Sequence, residues 1–295
     1  MIRSVTGQTL SWLLSAIIGG MSENTPTWPG ITARLVRGEQ LDAQEAGWAM
    51  DEVMSGGASA VQLAGFLVAL QAKGVSSSEL AALADSMVAH ARPIAVPDRS
   101  IDIVGTGGGD MAQTVNISTM AALVIASTGR TVVKHGNRAS SSKSGTADVL
   151  EQLGGVRLDL EVAQVQEMIA EVGITFLFAQ VFHPSMRFAA EARKGGLGIP
   201  TVMNILGPIT NPGRPPGASA VGVADAKVAP IVAGVFAERG TSALVFRGAG
   251  WSRRADRHCT VGRVGGARGR GPSSCPRSAR CRRHRPQPCG LAPGR

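Results

Sequence analysis

From residue 101 onward, short runs with strand character alternate with runs of helical periodicity, and this alternation constrains the fold more than any other feature of the chain. IDIVG leads through a glycine loop to a helix over 118–127, and TVVK through a polar loop to a helix over 147–153. ITFLFA precedes a helix over 188–194, ASAVGVA a helix over 228–239, and ALVFRG closes the series. Strands separated by helices predict layers of helix around a largely parallel sheet.

Residues 28–92 carry a different pattern. Apolar positions recur at helical spacing over 31–35, 46–54, 61–72 and 80–91, with Gly and Ser between them, which predicts a small all-helical unit. Pro93 to Pro97 reads as the linker between the two parts.

Charge divides the chain unevenly. The formal net charge is +9, yet residues 249–295 alone hold twelve Arg, no Lys and the single acid Asp256, leaving 18 basic against 20 acidic side chains before them. A basic footprint confined to one segment says nothing about what the folded part binds. That segment also holds all four cysteines, Cys259, Cys275, Cys281 and Cys289, with no C-x-x-C pair and no histidine at zinc-finger spacing. It suits neither a metal site nor a disulfide framework, and a cysteine-free body fits a cytoplasmic protein. The Arg/Gly/Pro/Ser/Ala order after Gly248 has two readings: a basic arm for nucleic acid, or a GC-rich message read out of frame. No aromatic follows Trp251 to stack on bases, which favours the second. At the other end, LSWLLSAIIGG over 10–20 reads as a short signal peptide or as an upstream extension; no A-x-A site follows, which favours the extension. No apolar run reaches the roughly 18 residues of a membrane-spanning helix.

Chemistry concentrates in two loops that follow predicted strands. Val104-Gly105-Thr106-Gly107-Gly108-Gly109-Asp110 leads through Thr114-Val115-Asn116-Ile117-Ser118-Thr119 into a helix. Its glycines allow close backbone approach, and Asn116, Ser118 and Thr119 set side-chain donors beside the free N–H groups of a helix start, a cradle for phosphate. It matches neither the G-x-x-x-x-G-K-[ST] loop nor the G-x-G-x-x-G fingerprint, so a plain structural turn remains open at this point. Lys134-His135-Gly136-Asn137-Arg138-Ala139-Ser140-Ser141-Ser142 gathers two fixed cations, a histidine, an amide and three hydroxyls, a set suited to pyrophosphate. If the two strands are neighbours, both loops open at one carboxyl edge of the sheet, where α/β folds bind ligands. In FHPSMR and beyond, Arg187 and Arg193 lie about 240° apart around a helix and cannot share a face. NILGPITNP over 204–212 reads as a stiff structural segment, a hinge between domains.

Taken together, GTGG…D…TVNIST, KHGNRASSS…SGTADVLE, FHPSMR and NILGPITNP closely resemble the anthranilate phosphoribosyltransferase family of tryptophan biosynthesis, from about Trp28 to Gly248. The resemblance implies an α/β protein of the nucleoside phosphorylase/phosphoribosyltransferase type, with a helical domain at 28–92 and an α/β domain at 98–248, elements of 180–212 packing on the helical one; composition adds a disordered extension at 1–27 and a disordered tail at 249–295. It implies a cytoplasmic homodimer, with no nucleic-acid or membrane partner, joining anthranilate to phosphoribosyl pyrophosphate with Mg²⁺ on the diphosphate. Carried over by motif, Gly105, Gly108, Asp110, Thr114, Asn116, Ile117, Ser118, Thr119, Lys134, His135, Gly136, Asn137, Arg138, Ala139, Ser140, Ser141, Ser142 and Thr146 would hold phosphoribosyl pyrophosphate. Gly105, Asn137 and Arg193 would meet anthranilate, and Ser118 a metal ion. Lys134, His135, Asn137 and Arg193 would carry the chemistry, with His135 an orienter or a structural residue.

The resemblance breaks after Gly248. The family's acidic D-D-G-L-D-E stretch, whose Asp-Glu pair binds Mg²⁺, is replaced by Ala249-Gly250-Trp251-Ser252-Arg253-Arg254. A missing second metal site, a C-terminally incomplete sheet with exposed edges and weak or no turnover are the expectations. Two other readings stand beside it: a pyrimidine nucleoside phosphorylase-like enzyme, and a non-catalytic nucleic-acid binder acting through the basic tail.

Overall fold

The computed structural model describes residues 25–107, 116–138, 145–153, 155–190, 192, 197–215 and 217–247, and the backbone of 260–264. Four helices open it: α1 (Trp28–Val36), α2 (Ala43–Ser55), α3 (Ala60–Lys73) and α4 (Ser77–Ala89). The side chains of Asp42, Ser59 and Ser76 cap the last three, each with Glu or Gln three residues on closing a capping box. Gly56, at φ +80, ends α2 in the left-handed region. The Glu79 carboxylate is fully buried, where it receives the Lys73 ammonium at 2.7 Å and the N–H groups of Leu41 and Ser76 at 2.8 Å. Burial pushes its pKa up, but these donors outweigh burial and hold it below the ordinary carboxylate value.

The second part alternates as expected: β1 (Ile101–Gly105), α5 (Ile117–Ala126), β2 (Val132–Gly136), α6 (Thr146–Gln152), α7 (Val162–Val172), β3 (Ile174–Phe178), the short α8 (Ala179–Phe182), α9 (Met203–Leu206), β4 (Ala218–Gly222), α10 (Val228–Glu238) and β5 (Ala243–Arg247). The sheet runs β3-β2-β1-β4-β5 with every neighbour parallel, and a sixth strand, β6 (Thr260–Val264), pairs antiparallel with β5. That strand lies inside the segment expected to be a structureless tail. Its backbone covers the β5 edge that sequence reasoning left open. The other residues of 249–295, the four cysteines among them, lie outside the described residues, as do residues 1–24.

The helix expected over 188–194 is preceded by a 3-10 turn, Pro184–Ala189, started by a proline at its first position and taking in Phe188 and Ala189; Ala190 and Ala192 are helical, and residues 191, 193 and 194 lie outside the described residues. This turn packs on α2, where the ring of Phe188 fills the space beside Gly56, and Met203 and Leu206 join the core shared with α4. One apolar cluster runs from Ile31, Leu67 and Leu83 of the helical unit through Val232 and Phe236 of α10 to Val221 and Val245 of the sheet. At this junction the Ser77 hydroxyl donates to the Ile231 carbonyl at 3.1 Å. Among the described residues, no helix is long and apolar enough to cross a membrane.

Candidate functional site

Strand order reverses at β1, which has β2 on one side and β4 on the other, so the crevice at its carboxyl end is the place where open α/β sheets receive ligands. Thr106 secures this point: its N–H donates to the Gly222 carbonyl at 2.9 Å and its hydroxyl accepts from the Ala224 N–H at 3.2 Å. Gly105, the last residue of β1, leaves little room for a side chain, since a Cβ there would lie 3.3 Å from the Gly222 carbonyl. Because β1 and β2 are parallel neighbours, the glycine loop and the KHGNR loop leave the same edge.

Lys134 lies between the two loops and is 3% exposed. Its ammonium donates to the Ile103 carbonyl at 2.6 Å and to the Ser118 hydroxyl at 3.0 Å. Burial pulls its pKa down to about 8, against the charge of Asp102, which acts to raise it. Asp102, buried in β1, is pushed up by burial to about 6, although Asn211, Lys134 and the His135 N–H all favour its charged form. Lys134 is therefore charged at neutral pH but close to losing its proton.

Asn116 caps α5, and it acts through its acceptor rather than as the donor expected. Its Oδ1 receives the Thr119 N–H at 3.1 Å, the Thr119 hydroxyl at 2.8 Å and the Ser118 hydroxyl at 3.2 Å. The polar chain Lys134, Ser118, Asn116 thus ties the middle of β2 to the first turn of α5. Ile117, at the start of that helix, is exposed, and the first helical N–H groups stay available to an anion.

Ser118 was expected to meet a metal ion. Its hydroxyl already accepts from the Lys134 ammonium, and among the described residues no group of three His, Cys, Asp or Glu could hold a metal ion. Mg²⁺ favours carboxylates and phosphate oxygens. The described residues do not form a resident Mg²⁺ site.

Arg138 was expected to hold diphosphate, but it pairs with Glu151 at 2.5 and 2.6 Å and with Asp148 at 3.3 Å, its guanidinium over the Phe178 ring. Asn137 turns its Oδ1 to the Arg138 N–H at 2.8 Å and is exposed. Gly136 meets Phe176 and Thr146: a Cβ would lie 2.9 Å from the Phe176 ring and 3.3 Å from the Thr146 Cβ, so the close approach requires glycine. Thr146 itself is buried at the first position of α6.

His135 is 3% exposed, and its Nδ1–H donates to the Gly207 carbonyl at 3.0 Å. Burial and the neighbouring His183 lower its pKa to about 3, so it is neutral. The His183 ring lies 5.1 Å from it, and the His183 Nε2–H donates to the Thr210 carbonyl at 2.9 Å. The segment read as a hinge is thus a strut: Gly207 and Thr210 receive the two imidazoles, and the Asn211 Nδ2 donates to the Val133 carbonyl at 2.9 Å. Arg187 lies over the Phe188 ring at 4.6 Å. Gly108, Asp110, Thr114, Ala139, Ser140, Ser141, Ser142 and Arg193 lie outside the described residues.

Asp102, His183, Asn211 and Arg239 were missed as site residues. His183 and Asn211 did stand in the FHPSMR and NILGPITNP motifs, and Asp102 left a signal as a carboxylate between Ile101 and Ile103 in a predicted strand, whereas Arg239 left none. A cavity of about 510 Å³ lies at the opposite, amino end of the strands, beside Ile101 and Ala218, away from both loops.

Known proteins repeat this two-part organisation. The helical bundle domain of a glycosyl transferase family matches residues 29–91, and the a/b domain of that family matches 97–262, past the Gly248 limit expected from the motifs. The chain is 59% identical over 230 residues to the anthranilate phosphoribosyltransferase of Streptomyces griseus, covering 78% of this chain and 64% of that one. With that of Arthrobacter it shares 58% over 222 residues, 75% of this chain and 62% of the relative. The chain therefore spans less than two thirds of the length of these relatives. The crystal structure of the Thermus thermophilus anthranilate phosphoribosyltransferase superposes with a TM-score of 0.70 at 42% identity, over 80% of this chain and 70% of that one. The Saccharomyces cerevisiae enzyme in complex with PRPP and Mg gives 0.67 at 28%, over 76% and 66%. Since the matched residues include the helical unit, both strand-end loops and the buried lysine between them, the chain belongs to this glycosyl transferase family.

Proposed function

We propose that the chain transfers the phosphoribosyl group of phosphoribosyl pyrophosphate to anthranilate, giving N-(5-phosphoribosyl)anthranilate and pyrophosphate. The observation that carries the reading is the buried Lys134 ammonium between two loops at the carboxyl ends of adjacent parallel strands. The relatives' names supply the two substrates. None of the relatives named above is a nucleoside phosphorylase or a nucleic-acid binder.

The anthranilate amine attacks ribose C1 as the bond from C1 to the pyrophosphate oxygen breaks, its electron pair leaving on pyrophosphate and the amine proton being lost. Charge grows on the leaving group. The Lys134 ammonium and the free N–H groups at the start of α5 are placed to neutralise it, preorganised before reaction. Asn137 meets anthranilate, and neutral His135, buried and held by the Gly207 carbonyl, supports the loop from beneath. Arg193 supplies a cation for the anthranilate carboxylate, and the residues of the glycine loop and of Ala139 to Ser142 bind the diphosphate. Mg²⁺ belongs in this reading to the substrate's diphosphate, the yeast structure being a complex with PRPP and Mg, and no resident ion is assigned to the chain. A cytoplasmic homodimer completes the reading on the resemblance alone.

The test is the loss of anthranilate fluorescence on adding phosphoribosyl pyrophosphate, beside calorimetric binding of that substrate. Binding with turnover well below that of a relative carrying the acidic stretch is expected. Absence of binding overturns the substrate assignment, whereas normal turnover at ordinary Mg²⁺ overturns the expected loss of activity.

A further inference from the structure

The guanidinium of Arg239 joins three parts of the molecule. Arg239 ends α10 and its side chain is 21% exposed. Its Nη2 donates to Asp85 of α4 at 2.9 Å, and its Nη1 donates to the Ile209 carbonyl at 2.8 Å. Ile209 belongs to the 3-10 turn Gly207–Ile209, whose first carbonyl, that of Gly207, receives the Nδ1–H of His135. The Thr210 that follows receives the Nε2–H of His183, and its hydroxyl donates to the Leu206 carbonyl at 3.0 Å. A single planar fork therefore lies between the helical unit and the turn that selects which ring nitrogen of His135 carries the proton. Arginine suits this task because its two terminal nitrogens are held at a fixed angle, which a lysine ammonium cannot reproduce. Arg214 also reaches Asp85, at 3.6 Å, but its bond to this segment is made by its backbone N–H, to the Asn211 carbonyl at 3.0 Å.

We propose that Arg239 is a positioning residue that couples the seating of α4 to the orientation and tautomer of His135, through Ile209 and the Gly207 carbonyl. Asp85 sets one end of the guanidinium, so motion of the helical unit is passed to the turn, and the turn fixes the proton on Nδ1 and the lone pair on Nε2. The proposal rests on the transferase reading for its use in the reaction, but the coupling itself exists without substrate.

The experiment is nitrogen-15 NMR of the His135 imidazole in the ligand-free full chain, for the parent, Arg239→Met, Arg239→Lys and Asp85→Ala. The parent is expected to show a protected Nδ1–H and an unprotonated Nε2. Arg239→Met, which keeps the apolar stem, is expected to bring Nε2–H to comparable population and to speed exchange of the Nδ1 proton at least tenfold. Arg239→Lys falls between, and Asp85→Ala moves the signal in the same direction although it touches neither His135 nor the turn. A general loss of packing would lower the melting temperature without changing the tautomer. An unchanged His135 signal in folded Arg239→Met, or in Asp85→Ala should Arg239→Met fail to fold, overturns the coupling; so does a response to Arg239→Met with none to Asp85→Ala. Because the signal is read without ligand, a chain that shows the coupling yet does not bind phosphoribosyl pyrophosphate refutes the transferase reading and leaves this one standing.

Discussion

The Lys134 ammonium lies 3.0 Å from the Ser118 hydroxyl, which joins the middle of β2 to the first turn of α5. Burial costs this lysine part of its hold on the proton, bringing its pKa to about 8. A diphosphate entering beside it restores that hold. Binding of phosphoribosyl pyrophosphate at pH 8 is therefore expected to take up protons, read as a dependence of the calorimetric heat on the ionisation enthalpy of the buffer. The guanidinium that Lys134→Arg introduces stays charged at that pH, so the lysine's share of the uptake disappears. Lys134→Met should weaken binding roughly 30-fold, equivalent to about 2 kcal/mol for a lost charged hydrogen bond. Equal uptake in the parent and in Lys134→Arg would exclude Lys134 from the anion site.

Asn116 gives a way to separate stability from binding. Asn116→Ala removes the cap of α5 and is expected to cost about 1 kcal/mol of unfolding free energy. Asn116→Asp keeps an acceptor for Thr119 and adds a negative charge at the helix N-terminus, so stability should return to within a few tenths of the parent value. The same charge repels a diphosphate. Urea midpoints paired with phosphoribosyl pyrophosphate titration should show a stable Asp variant with at least tenfold weaker binding; parent-like affinity would place the anion elsewhere.

Lys134 was readable as the first polar residue after a strand's apolar run, although the strand continues through it to Gly136, and Asn116 because a polar residue directly before a helix has few other places to go. Partners were not. Nothing in the spacing from Arg138 to Glu151 says that a carboxylate from the next helix takes the guanidinium, because that depends on how α6 leans back over the loop. The role of 207–211 escaped for the same reason: its carbonyls receive His135 and His183 from residues 72 and 27 positions away in sequence. Thr260–Val264 was hidden in an Arg/Gly background, since five residues carry too short an alternation to stand out and only the open edge of β5 makes them a strand. The α/β order and the helical unit were legible because they rest on long repeating patterns.

The two buried histidines make stability depend on pH. His135 and His183 have pKa values near 3 and 4 in the fold, from burial first, against about 6.5 in an unfolded chain. Below pH 6.5 the unfolded chain holds two protons that the folded one refuses, so acid destabilises. Asp102 opposes this, since burial raises it to about 6 and the folded state keeps its proton down to the unfolded value near 4. Between about pH 4.5 and 6 the unfolded state holds one net extra proton, giving a fall of about 1.4 kcal/mol per unit of acidification. Asp102→Asn removes the opposing group and should nearly double that slope. Urea unfolding across the window checks both values; were both imidazoles solvated, Asp102 alone would reverse the sign and acid would stabilise the parent by about 1.4 kcal/mol per unit.

Arg138 gives the prediction with the least intuitive sign. Its guanidinium lies against Glu151 and Asp148 with the side chain 42% exposed, so in this arrangement the carboxylates compete with any phosphate for it. An exposed pair of this kind holds about 0.2–1 kcal/mol. Glu151→Gln removes one competing charge while keeping the side-chain length, and phosphoribosyl pyrophosphate should then bind up to about fivefold tighter, the equivalent of about 1 kcal/mol. Arg138→Ala added to it should abolish the gain. The salt dependence of binding should also steepen in Glu151→Gln, because a cation released from its partner meets the ligand instead. Affinity unchanged by Glu151→Gln, but lowered by Arg138→Ala, would show that the pair holds the loop in place and that Arg138 never reaches the diphosphate.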